Sequence, residues 1–418
     1  MKKRKTGLLI LFSLIILSCT PLKRPVNVNF AHLYNADLSL LQPAYSVFHH
    51  HNDSTQLYIY INPEELLYTR QANEDHFTSR FTVSHYLFSS ISSRNLIDSS
   101  STQFIDTLSV DQPFLIERKT TLFTPQGERT SLFIDFEDVN RRSHHQDVIT
   151  IDKSHPYTSQ FFVMQRTEDE EYFAPFFMLL QSGINIRYGK ELDFNMTVNT
   201  YPVRNKIPSP PFVMNEEPYI IPELAADTTF NIQFNKGQSG ITAVKTGLYH
   251  FFDPDNINHG FVAYAFNDVF PEVSGTEEMI RALRYISSSD EYTDLFSLND
   301  PQLASDRFWN RSAGNPERAS ELKSRYYNRV TNANILFSSF VPGWQTDRGM
   351  IYIVFGPPHS VYKNDNSEIW HYTEGMNVPS ARFVFQQIDN KYSGNHYVLQ
   401  RDLAYRSTWN HAVSIWRR

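Results

Sequence analysis

The amino-acid sequence predicts a multidomain chain: two antiparallel β-sandwich (Ig-like) domains, then an α+β domain with helices packed on a small antiparallel sheet. Three observations predict it. From about Val26 to Phe266 apolar residues recur with period two, the spacing of strands with one wet face. Stretches rich in Pro, Gly and Asn interrupt that pattern where the chain must reverse. After Asp268 the period becomes 3.6, and strand-like runs return near the C-terminus. At 418 residues the chain is too long for one ordinary core.

The first element is an export signal. Met1-Lys2-Lys3-Arg4-Lys5 is basic, and Gly7 to Leu17 is an apolar run of 11 residues, against about 20 needed to span a bilayer. Ile16-Leu17-Ser18-Cys19 follows and resembles the lipobox of bacterial lipoproteins. The resemblance implies cleavage before Cys19 and lipid attachment to it. Several acyl chains bury far more CH2 groups than one marginally anchoring myristoyl, so attachment would be permanent. Cys19 is the only cysteine, so no internal disulfide is possible. Thr20 to Pro25 reads as a short tether. No Asp follows Cys19, and no acidic run follows it either. By the same resemblance this implies the outer membrane and a periplasm-facing position. The expected boundaries are 1–18 for the signal peptide, 19–26 for the lipidated tether, 27–153 and 154–268 for the two sandwiches, and 269–418 for the α+β domain.

Strands are expected at Leu57 to Ile61, Arg80 to Phe88, Phe114 to Phe123, Ser131 to Phe136 and Asp147 to Ile151. Further ones are expected at Gln160 to Gln165, Glu191 to Thr200, Thr229 to Phe234 and Phe261 to Phe266. In Leu192-Phe194-Met196-Val198 the alternation puts apolar side chains on one face. Pro125-Gln126-Gly127, Asn235-Lys236-Gly237 and Asp253-Pro254-Asp255-Asn256 read as turns. Pro202 to Pro222 holds six prolines and is either a boundary or a long loop.

The helical part opens at Ser274-Gly275-Thr276-Glu277-Glu278, with Thr276 as cap, acids in the first turn, and Met279, Leu283 and Ile286 as the apolar stripe. Leu303 to Asn310 forms a short second helix. A third starts at Asn315 with Pro316 in its first position and an apolar face of Leu322, Tyr326, Val330, Ala333, Phe337 and Phe340. Gly343 is expected to end it in a left-handed conformation. Strands are then expected at Met350 to Phe355, Glu368 to Tyr372, Arg382 to Phe385 and His396 to Leu399, forming a meander.

The segment Gly343-Trp344-Gln345-Thr346-Asp347-Arg348-Gly349, followed by Ile351-Tyr352-Ile353 and Phe355-Gly356-Pro357-Pro358, resembles the GWxTD domain of Bacteroidota and related bacteria. Phe308-Trp309-Asn310-Arg311, Tyr326-Tyr327-Asn328-Arg329-Val330 and Glu368-Ile369-Trp370-His371-Tyr372 carry the same likeness, which covers roughly Thr276 to Tyr372. Ser312-Ala313-Gly314 departs from the family pattern where an acid is expected. The family has no established activity, so the resemblance implies no catalytic residue. Gly343, Trp344, Thr346, Asp347, Arg348, Gly349, Gly356, Pro357, Trp370 and Tyr372 are the motif residues that could meet a partner. The same residues also read as a structural corner. Trp344 would cap the sheet edge, Thr346 and Asp347 would accept backbone N–H groups, Arg348 would offer a fork to a carboxylate or carbonyls, and Gly356-Pro357 would set a rigid turn. Gly-x-Pro followed by Trp-x-Tyr also resembles the small lipoprotein subunit of the outer-membrane β-barrel assembly machine.

Other chemistry is weakly signalled. A formal charge of −7 argues against nucleic acid as a partner. His49-His50-His51 cannot all face one ion from a strand, so it reads as a solvated hairpin turn, as does His144-His145. Glu168-Asp169-Glu170-Glu171 lacks the spaced oxygens of a calcium loop. No metal site and no cofactor are expected, and no nucleophile elbow, P-loop or zinc-protease motif occurs. The expected function is therefore non-catalytic: a lipid-anchored binding or assembly module for an envelope protein partner. The alternatives are a carbohydrate-binding envelope protein, or a hydrolase with a site near Asp347, His359 and His371.

Overall fold

Alternating burial organises the first half of the chain. In the computed structural model, β2 (Ser54–Ile61) turns Leu57, Ile59 and Ile61 inward and leaves Tyr58 and Tyr60 on the other face. The structure describes residues 28–417 apart from 51–52, 71, 73–74, 110, 112, 167–176, 204–205, 215–223, 267–268, 274, 299 and 374–379. The signal, Cys19, its tether, His51 and Glu168 to Glu171 lie outside the described residues. Flanking β2 antiparallel are β1 (Ala44–His49) and β5 (Ile116–Phe123). A second antiparallel sheet runs in the order β4 (Leu96–Thr107), β3 (Thr78–Phe88), β6 (Arg129–Asp138), β7 (Ser143–Asp152). Both sheets feed one core, in which Leu57 and Ile59 meet Phe81, Val83, Leu132, Ile134 and Phe136.

The next region repeats this plan. One sheet has the order β13 (Gln238–Thr242), β10 (Gly183–Tyr188), β8 (Phe162–Arg166). The other has β12 (Thr228–Phe234), β11 (Phe194–Tyr201), β14 (Gly247–Asp253), β15 (Asn256–Phe266) and β9 (Phe177–Leu179). All these pairings are antiparallel except β9 with β15. Ile184, Ile186, Met196, Val198, Phe251 and Phe261 share its core. Leu192, expected on the buried face, precedes β11 and is exposed. The Asn235-Lys236-Gly237 turn has positive φ at Lys236 (49°) and Gly237 (75°), the backbone that a tight hairpin demands.

Six α-helices occur among the described residues, all in the C-terminal part. They are α1 (Gly275–Ala282), α2 (Ser289–Ser297), α3 (Pro301–Ala313), α4 (Pro316–Phe337), α5 (Asp347–Phe355) and α6 (Tyr405–Ile415). A four-stranded meander, β16 (Ser360–Lys363), β17 (Ser367–Tyr372), β18 (Ala381–Gln387) and β19 (Tyr397–Leu399), shares a core with them. The Asn315 side chain caps α4 by accepting from Arg318 N–H at 2.8 Å, and Leu322, Tyr326, Val330, Ala333 and Phe337 are buried along it. α1 begins at Gly275, so Thr276 lies inside the first turn, not at the position before it.

Three expectations are corrected here. Met350 to Phe355 is helix, not strand: the Thr346 side chain caps it, and every residue of α5 is buried, so an apolar face all round is what a helix in this place needs. Gly343 does not end the third helix in a left-handed conformation. That helix stops at Phe337, and Gly343 begins a 3-10 turn, Gly343–Gln345. A side chain there would put its Cβ 1.9 Å from Ala333 O, so Gly343 serves close approach. His49, His144 and His145 stand in strands, not in solvated turns. His49 is in β1, wholly buried, and hydrogen-bonds with Thr55 Oγ1 at 2.8 Å. His144 and His145 lie in β7, His144 beside Asp135 and His145 buried.

Residues near the N-terminus join the C-terminal core. Phe30 N–H donates to Val361 O at 2.9 Å, and Phe30, Ala31 and Tyr34 are buried with the helices and the meander.

Candidate functional site

The corner between α4 and α5 is built from close backbone packing. Gly349 faces Gly343 O, where a Cβ would fall at 1.9 Å. Thr346 Oγ1 accepts from Gly349 N–H at 3.0 Å and donates to Gly343 O at 2.7 Å, which fixes the start of α5. Asn334, buried on α4, accepts from Trp344 N–H at 3.1 Å and donates to Pro271 O at 2.7 Å. Trp344 does not cap a sheet edge. Its ring is fully buried against Tyr285, and its Nε1 donates to Glu278 at 3.4 Å. Residues 341–356 are buried without exception.

The charged members of the corner are neutralised inside the protein. Asp347 accepts from Leu399 N–H at 2.8 Å and from both Nη atoms of Arg401, at 2.8 and 3.1 Å. Arg348 donates to Glu368 at 3.2 Å and to Asn395 O at 2.8 Å, and its guanidinium lies 4.0 Å from the Tyr397 ring centroid. Glu368 is the centre of this group. It also accepts from Tyr34 Oη at 2.9 Å and from Trp370 Nε1 at 3.1 Å, with Lys363 Nζ at 3.6 Å. Burial pushes the Glu368 carboxyl up, yet Lys363, Arg348 and the bonds from Tyr34 and Trp370 outweigh it and hold it below the ordinary value. Burial alone would lower the Lys363 ammonium, but Tyr34, Glu368 and Asp147 raise it instead. The phenol of Tyr34 is raised by burial and by Glu368. Buried charges are tolerable in this form because each has an opposite charge and further hydrogen bonds.

The other end of α5 is closed by Gly356 and Tyr372, whose Oη donates to Gly356 O at 2.8 Å. Gly356 has φ 88°, and a Cβ there would meet Arg329 Nη2 at 2.6 Å. Arg329 donates to Ile353 O at 3.0 Å, a cation at the negative end of the helix. Pro357 follows at the rim of an open cleft beside α4.

Residues 247–418 match the family model of the GWxTD domain. The chain carries a GWxTD domain. No match to a curated protein was found. The match begins at Gly247, the first residue of β14, ahead of the residues that carried the likeness in the sequence.

Within the GWxTD domain the structure does not bring Asp347 together with His359 and His371. The two histidines are neighbours, His359 N–H donating to His371 O at 3.0 Å, and His359 Nδ1 accepts from Thr373 N–H. None of their polar contacts reaches Asp347, whose carboxylate is held by Leu399 and Arg401. Among the described residues no three His, Cys, Asp or Glu side chains gather as a metal set, and no helix is long and apolar enough to cross a membrane. Sequence reasoning gave no role to Tyr34, Lys363, Glu368, Asn395 or Arg401, all of which hold the corner. Only Glu368 carried a local signal: it shares strand parity with Trp370 and Tyr372, both buried.

Proposed function

We propose that the chain is a lipid-anchored, periplasm-facing lipoprotein of the outer membrane, with two Ig-like β-sandwiches and the GWxTD domain. It works as a non-catalytic binding or assembly module for an envelope protein partner. The observation that carries the reading is the docking of Phe30 to Tyr34 into the core of the GWxTD domain. Between Cys19 and Phe30 an extended chain reaches at most about 40 Å. A lipid on Cys19 would therefore hold this domain, not a distant one, beside the bilayer. The internal bonding of Asp347, Arg348 and Glu368 supports a role in shape over one in chemistry.

Crosslinking and affinity recovery from intact envelopes test it. A stable protein partner is expected, lost when Cys19→Ala removes the anchor. Recovery of no stable partner sinks the proposal. One observation favours a second reading, carbohydrate binding. A cleft of about 190 Å³ is lined by Tyr45, Phe48, Tyr58, Tyr60, Gln160 and Arg187, and aromatic faces with a few polar groups suit sugars. Binding of envelope glycans that Tyr58→Ala abolishes would move the function there.

A further inference from the structure

An open cleft of about 440 Å³ lies on the α4 face of the GWxTD domain, lined by Arg325, Asn328, Arg329, Asn332, Tyr352 and the N-terminal Asn35 among others. Arg325 and Arg329 stand one helical turn apart. Both guanidinium carbons lie 5.0 Å from the ring centroid of Trp416, which is buried and pinned by its Nε1 bond to Val354 O at 3.0 Å. Arg329 is partly engaged, through Nη1, with Ile353 O and Val354 O. Neither arginine forms an ion pair with a carboxylate among the described residues. Two like charges on one aromatic platform, facing an open cleft, form a receptor for an anion. Burial and the neighbouring Arg325 charge pull the Arg329 guanidinium down to about 10, in keeping with a missing counter-charge.

We infer that this cleft binds a carboxylate-bearing peptide segment of a partner protein, held by Arg325 and Arg329. Asp37 and Glu321 line the same cleft, and they would repel a compact multivalent anion. A peptide suits the mixture. Its carboxylate meets the arginines, its carbonyls accept from Asn328 and Asn332, and its N–H groups face Asp37 and Glu321. The inference rests on the partner-binding reading above and gives the partner its chemistry.

The test is fluorescence polarisation with the full chain purified in detergent. The probe is a dye-labelled peptide Gly-Ser-Glu-Asp-Ser-Gly, compared with its Gln-Asn counterpart and with inorganic phosphate as competitor. Saturable binding of the acidic peptide is expected. It should weaken about tenfold or more in the Gln-Asn peptide and in Arg325→Gln, as loss of one charge-assisted hydrogen bond implies. Arg325 is exposed, so the variant loses only its contact with the Trp416 ring, a small cost in stability, and should still fold. Arg329 holds α5, so it is left intact. Equal binding of the two peptides overturns the inference, as does unchanged binding by Arg325→Gln. Displacement by phosphate at the concentration of peptide needed for half-saturation assigns the cleft to free anions and also overturns it. If a partner is recovered from envelopes but neither peptide binds, this cleft is wrong and the module reading stands. If the acidic peptide binds but no partner is recovered, the reverse holds.

Discussion

Replacing Glu368 by alanine tests the account of the motif corner most directly. The substitution leaves Arg348 and Lys363 without their shared carboxylate, and Arg348 is only 3% exposed. It also strips acceptors from Tyr34 Oη and Trp370 Nε1. Breaking one side of a buried ion pair costs about 3–5 kcal/mol, because a charge stays buried without a partner. At about 2–4 °C per kcal/mol for a domain of this size, melting should fall by roughly 6–20 °C. All five tryptophans of the chain lie within residues 247–418, so tryptophan fluorescence reports this domain and little else. The sign with pH follows from the depressed carboxyl. A group whose folded pKa lies below its unfolded value contributes stability above the unfolded value, 4.5 here, and loses it as pH falls through the folded one. The gap between wild type and Glu368→Ala should therefore be full at neutral pH and close in acid. Tyr34→Phe removes only one hydroxyl and should cost about 1.5–3 kcal/mol. The combined Arg348→Met, Lys363→Met, Glu368→Leu variant should recover most of the loss. If Glu368→Ala melts within about 1 °C of wild type at pH 7, the cluster is not what holds the N-terminal segment and the corner together.

Thr346→Ala removes the α5 cap and a bond to Gly343 O, and should cost about 1–2 kcal/mol in chemical denaturation, while Thr346→Ser stays near wild type. Gly349→Ala forces a Cβ to 1.9 Å from Gly343 O and should cost about 3 kcal/mol or prevent folding, measured by the same tryptophan signal. Burial lowers His49 to about 3 and His145, His250 and His396 to about 4, helped by Lys153, His32, Lys391 and Arg348 respectively. Below about 6.5 the unfolded chain takes up protons that the folded one refuses, so stability should fall from pH 6.5 toward 4. His250→Phe, packed beside Phe252 and Tyr392, should flatten part of that slope.

What the sequence made legible follows from how local each cause is. Strands with one buried face declared themselves, because burial alternates along all of β2 and along β3 as far as Leu87. β4 did not: Ser99, Ser100 and Ser101 sit mid-strand at a sheet edge and interrupt the apolar pattern between Ile97 and Phe104. α2 carried a capping box, Ser288 with Glu291, but only a short apolar stripe behind it. Met350 to Phe355 shows the limit of period itself. A wholly buried helix and a wholly buried strand both read as an unbroken apolar run, and six residues cannot separate them. Only the cap at Thr346, bonding to Gly349, distinguishes the two. The site was less legible because its partners are remote: Tyr34 and Glu368 are 334 residues apart. The motif residues are thus prominent for reasons of folding. Gly343 and Gly349 permit backbone contact, Thr346 starts a helix, and Asp347 and Arg348 are neutralised from elsewhere in the chain. A partner cannot reach groups that are buried and already bonded. On the partner-binding reading proposed above, a partner would meet outward residues that the corner positions, among them on α4 the arginines resting on Trp416.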